Sequence, residues 1–108
     1  MSTNKYNKLS YAKCGELLAG KDHKKLAHNT YLVRAGDEYH VMYHSTAVIR
    51  FYADESFSLH TGGYRTTTTK QRLNWYSGVS VWQEKGEWYT SVGEFSEGMR
   101  IALSEVSG

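Results

Sequence analysis

Apolar side chains recur at two different spacings along this chain, and the change of spacing marks its elements. In residues 10–18, SYAKCGELL, Tyr11, Cys14 and Leu18 repeat three and four apart, as on one face of a helix. Ser10 is a suitable N-cap and Gly20 a natural stop, so a short N-terminal helix is expected, weakened by Gly15 within it. Residues 1–8 read as a polar, frayed lead-in and 21–25 as a polar connector. From residue 28 the period becomes two. Residues 28–34 and 39–44 flank a turn signal at Gly36 and Asp37, and 47–52 and 57–61 follow across short polar turns. These four strands predict an antiparallel meander.

Gly62 and Gly63 end the meander. Residues 70–76 predict a short helix capped by Thr68 or Thr69, with Leu73 and Tyr76 facing inward together. Residues 79–83 and 87–91 flank Glu84, Lys85 and Gly86, a second hairpin on which Trp82 and Trp88 are expected to lie close together. The tail over 93–108 supports either a strand or a helical turn at 99–103. The expected fold class is therefore α+β and β-dominated, a single domain over 1–108. It comprises a four-stranded antiparallel meander, a C-terminal hairpin, a short N-terminal helix and a short helix after the double glycine.

Alternation divides the meander into two faces. One collects Tyr31, Val33, Val41, Tyr43, Ile49, Phe51, Phe57 and Leu59, with Val79 and Val81 added later, and reads as the core. The other collects His40, Met42, His44, Arg50, Tyr52, Ser58 and His60, together with Arg34, which is out of phase and joins them only through a strand end or bulge. Imidazole, guanidinium and phenol groups on one face suit base stacking and phosphate contact, as on single-stranded nucleic-acid platforms. A covered, purely structural face is the alternative.

Composition narrows the class. The chain has 108 residues, enough for one self-sufficient core, and no proline to interrupt a strand. One cysteine cannot form an internal disulfide, and no run approaches the roughly 18 apolar residues of a membrane helix. The net charge of +2 conceals blocks. Residues 1–34 carry seven basic against two acidic groups, 35–55 one against four, 56–83 three against none, and 84–108 two against five.

Catalytic and metal signatures are missing from the sequence. His40 and His44 lie two pleats apart on a strand, roughly 13 Å, too far to share one ion. Cys14 has no accompanying nucleophile motif and reads as a buried helical thiol. No paired acids, P-loop or dinucleotide fingerprint is present, so neither a cofactor nor an enzymatic role is expected. The distinctive segment is 62–74, GGYRTTTTKQRLN, with three cations, four hydroxyls, an aromatic ring and no acid. Such a segment at a helix start can hold an anion, a nucleic-acid phosphate above all. A loop whose threonines bond their own backbone is the alternative.

The same residues carry a resemblance. The strand Asn29, Thr30, Tyr31, Leu32, then His44, Thr46 and Asp54, then Gly62, Gly63, Tyr64, Arg65, Thr66 and Thr68, Thr69, Lys70, Arg72, Leu73, Asn74 form a pattern. It resembles that of a group of small tailed-bacteriophage proteins without assigned activity, over about residues 10–76. Glu55 stands where glycine is common in that group, and His28 where asparagine is common. The resemblance implies a phage-encoded accessory protein in the host cell cytoplasm and supplies no catalytic residue.

The resulting expectation is a non-enzymatic protein that binds nucleic acid through Tyr64, Arg65, Thr68, Thr69, Lys70, Arg72, Trp75, Arg50 and Tyr52. The cations would contact phosphates, and Tyr64, Trp75 or Tyr52 would stack on bases. An alternative is an inhibitor that binds a host or defence protein through Trp82, Trp88 and Tyr89. A further alternative is a minor structural or self-associating phage component.

Overall fold

Strand pairing decides what alternation alone leaves open. The computed structural model describes residues 8–106. In chain order its elements are α1 (Tyr11–Leu18), β1 (His23–Ala27), β2 (Thr30–Ala35), β3 (Glu38–Tyr43), β4 (Thr46–Phe51), β5 (Ser56–Leu59), α2 (Thr67–Tyr76), β6 (Val81–Glu84), β7 (Glu87–Thr90), β8 (Gly93–Glu94) and β9 (Arg100–Ala102). Among the described residues the strands form two antiparallel sheets. The larger has the order β1-β2-β3-β4-β5-β9 and the smaller β6-β7-β8. This is the expected β-dominated α+β class, with the meander longer by a strand at each end. The lead-in expected over 1–8 lies, apart from Lys8, outside the described residues. Lys8 N–H donates to the Trp75 carbonyl and Leu9 N–H to that of Tyr76, which ties the chain to the end of α2.

Residues 21–25, expected as a connector, instead lead into and partly form β1, paired through Lys24 with Leu32. Only Leu26 of HKKLA is buried, at a bulge where the register shifts. The lysines suit an edge strand because they discourage further pairing, and that is also why the segment reads as polar. At the other end β9 pairs with β5, Phe57 opposite Ile101, so the tail supplies a strand.

The face assignment of β2 is also corrected. Tyr31, Leu32 and Val33 offer apolar groups to both faces, so period two cannot choose between them. Pairing does: Leu32 lies opposite Val41 and both are fully buried, while Tyr31 stays 39% exposed and Val33 faces His40. Arg34 pairs with Tyr39 and leaves the polar face, and His44 lies in the two-residue turn between Tyr43 and Thr46. Val41 pairs with Ile49 but Met42 with Ala47, so Val48 is an extra, bulged residue, and both Val48 and Ile49 are buried.

Both helices cover the same face of the larger sheet. Ser10 caps α1 by accepting the Lys13 N–H at 3.2 Å. Gly15 leaves room for the Tyr39 side chain of β3, whose phenol oxygen would sit 3.2 Å from a Cβ there. The cap of α2 is Thr66, accepting the Thr69 N–H, rather than Thr68 or Thr69, so the helix begins earlier than expected. Cys14 and Leu18 from α1, Leu73 and Tyr76 from α2, and Leu32, Val41, Ile49, Phe51, Phe57 and Leu59 from the sheet share one core. Asn74 joins the smaller sheet to α2, since its side-chain amide donates to the Val81 carbonyl at 2.7 Å and accepts the Val81 N–H at 2.9 Å. Trp82 and Trp88 do not meet: Trp82 lies opposite Tyr89 and Trp88 opposite Gln83, so they fall on opposite faces of the hairpin.

Candidate functional site

Away from the helices, strand register aligns Val33, His40, Arg50, Ser58 and Arg100 in one row across five strands. Three separate hydrogen-bonded groups flank it. The Tyr52 phenol and the Ser58 hydroxyl are 2.7 Å apart, and Ser58 and His60 Nε2 are also 2.7 Å apart. His40 Nε2 lies 2.8 Å from Glu38, and Arg100 reaches Ser56 at 2.8 Å and Asp54 at 3.2 Å. Arg50 differs, because its Nε is buried with no hydrogen-bond partner among the described residues. Burial first, then the charge of Arg50, holds His60 below its ordinary value, against the opposing pull of Glu97. Arg100 lies 3.8 Å above the Tyr52 ring and so occupies one of its stacking faces. Sequence reading placed Arg50 and Tyr52 here but missed Arg100, whose position depends on the β5–β9 pairing.

The basic segment is divided by the fold. Arg72 is only 6% exposed, and its guanidinium donates to Thr30 Oγ1 at 2.8 Å, to Gln71 and to the His28 carbonyl. It is a core residue and cannot serve as a phosphate contact. Trp75 is half-buried with Arg72 packed 4.6 Å from its ring centre, which removes it as an open stacking platform. Thr69 is buried and bonded to Thr66, whereas Thr68 is half-buried. What remains is Tyr64, 69% exposed, with exposed Arg65 and half-buried Lys70.

These two cations converge on one indole. The Arg65 guanidinium lies 5.6 Å and the Lys70 ammonium 5.4 Å from the Trp88 ring centre, and Arg65 is also 5.0 Å from that of Phe95. Cation–π attraction accounts for the placement. Lys70 also donates to Gln83, but neither cation has a carboxylate within ion-pair distance among the described residues. The tail reaches this region through Glu97, which accepts from the Thr61 and Gly62 N–H groups and the Thr61 hydroxyl. The backbone donors of the double glycine are thus filled from within, and the cations are not.

Trp88 itself is 3% exposed, so it supports Arg65 and Lys70 from below and offers no contact surface of its own. On the other side of the hairpin Trp82, 40% exposed, stacks on Tyr89 at 6.3 Å. Between the β3–β4 turn and the start of α2 lies a pocket of about 370 Å³, lined by residues that include Tyr43, His44, Thr46, Tyr64 and Thr66. Gly62 packs closely on Thr46, one of the lining residues, for a Cβ on Gly62 would fall 2.9 Å from the threonine methyl.

Among the described residues no three His, Cys, Asp or Glu side chains gather as a metal ion would require, and no helix is long and apolar enough to cross a membrane. Cys14 is fully buried and its thiol is pushed up to about 12, the opposite of what a nucleophile needs. No curated protein and no solved structure matches the chain. A family model does, the Kyanoviridae Gp96 protein, over residues 6–102. The match takes in both helices, both sheets and every residue of the surfaces described above, and the chain belongs to the Kyanoviridae Gp96 family of phage proteins.

Proposed function

We propose that this phage protein is a non-enzymatic accessory factor that binds single-stranded nucleic acid in the host cytoplasm, with Arg65 and Lys70 on phosphates and Tyr64 on a base. The observation that carries the reading is the convergence of two carboxylate-free cations on Trp88 beside an exposed tyrosine. Two like charges on one ring without a carboxylate partner favour an external anion, and a sequence-tolerant aromatic adjacent in the chain is the usual companion of backbone contacts. Arg50 lies on the opposite face of the larger sheet with its Nε buried, so it adds no phosphate contact to this pair.

Fluorescence anisotropy with a labelled single-stranded oligonucleotide tests it. Two contacts give a log–log salt slope of about −1.4, so affinity should fall about 7-fold between about 50 and 200 mM salt. Arg65→Ala and Lys70→Ala should each reduce the slope by about 0.7. A flat salt response, or no binding at the lower salt, would falsify the reading.

The exposed Trp82–Tyr89 stack favours a second reading, a protein-binding surface on the smaller sheet. Recovery of the same host proteins by wild type and Trp82→Ala would remove it.

A further inference from the structure

We infer that the pocket beside Tyr64 is a nucleobase site, which seats one unstacked base of a strand whose phosphate lies on Arg65 and Lys70. The inference rests on the nucleic-acid reading and adds the part of the ligand that enters the protein. The pocket's volume, about 370 Å³, is at the lower end of the range for small-ligand sites. Among the described residues no carboxylate, ammonium or guanidinium group lines it. That suits an uncharged, flat moiety and disfavours a phosphate inside.

The wall chemistry matches a base in two respects. Tyr43, His44 and Tyr64 supply rings for stacking, with the Tyr43 and His44 rings 4.4 Å apart. Ser45 and Thr46 supply hydroxyls that make no hydrogen bond among the described residues and can meet a base edge, as donor or acceptor. His44, exposed in the β3–β4 turn with a φ of 56°, contributes its imidazole to the lining. Sequence order adds a further argument. Tyr64, Thr66 and Thr69 line the pocket, and their immediate neighbours Arg65 and Lys70 carry the charge. On this proposal one strand places its backbone on the cations and its base in the pocket.

The full chain should be titrated with a single-stranded DNA of about 12 nucleotides, within the usual site size, and with an abasic strand of the same length at matched salt. Wild type should bind the base-bearing strand about 5- to 100-fold more tightly, the range spanned by stacking one base. Tyr64→Ala changes an exposed side chain, and His44→Gly places glycine where φ already favours it, so both should keep the fold. Each should shrink the preference to under about threefold and leave the salt slope unaltered. Equal binding of the two strands by wild type, or an undiminished preference in both variants, overturns the pocket and leaves the phosphate surface standing. Absence of binding by either strand at low salt overturns both.

Discussion

Arg72 and Arg65 show how much a residue's neighbours decide about it. Arg72 is buried, three of its donors are satisfied inside the protein, and its charge rests against Tyr43 and Trp75. Its replacement leaves Thr30 without a donor and a space where the stem packed, so Arg72→Ala should cost about 2–4 kcal/mol in urea denaturation. Arg65→Ala loses its cation–π contacts with Trp88 and Phe95 from an exposed position and should stay within about 1 kcal/mol of wild type. Equal losses for the two would contradict the placement of Arg72. The sequence held the deciding signal, because Thr69, Arg72, Leu73 and Tyr76 share one helix face and all four are buried. Two of the four are polar, and a reading tuned to apolar residues sees only Leu73 and Tyr76.

Elements were legible where their residues differ sharply between faces. The strands of β3, β4 and β5 and both helices follow from alternation, three–four spacing and caps. β1 was not legible, since HKKLA offers only Leu26 to the core and its remaining positions belong to an exposed edge. β9 was open for a different reason: a three-residue strand such as RIA is defined by its partner, here β5, and not by its own pattern. The β6–β7 hairpin was found, but its two tryptophans were given one face when register places them on two. That difference has a measurable consequence. Trp88→Ala empties a buried site beneath Arg65 and Lys70 and should cost about 3–5 kcal/mol. Trp82→Ala trims an exposed ring and should change stability by under about 1 kcal/mol. Chemical denaturation of the two variants side by side distinguishes this arrangement from the one expected, in which both losses would be alike.

At the scale of the whole molecule, contacts across long sequence distances join the acidic tail to the meander, and these set the response to pH. Glu97 reaches back to Thr61 and Gly62, and His60 stands beside them within the field of Arg50. Charge blocks in the sequence suggest that tail and loop attract, but not that a carboxylate meets backbone N–H groups while the cations stay unpaired. Burial would raise the Glu97 carboxyl, yet hydrogen bonds from Thr61 and Gly62 outweigh it and hold the group below its ordinary 4.5. Asp54 is held below 3.8, first by its hydrogen bonds from Ser56 and then by Arg100. His60 is held below 6.5 mainly by burial. All three bind protons more readily in the unfolded chain, so stability rises with pH through each window. The contribution of His60 is complete above about pH 6.5 and is lost as pH falls through its lower folded value. Those of Glu97 and Asp54 are complete above about pH 4.5 and 3.8 and are lost further down. Thermal midpoints recorded from pH 8 to pH 3 should therefore decline in two stages. His60→Gln should flatten the first stage and leave the second in place, whereas Glu97→Gln should lower the midpoint at neutral pH and shrink the second stage. A first stage that persists in His60→Gln would place its origin in another histidine and contradict the environment described for His60.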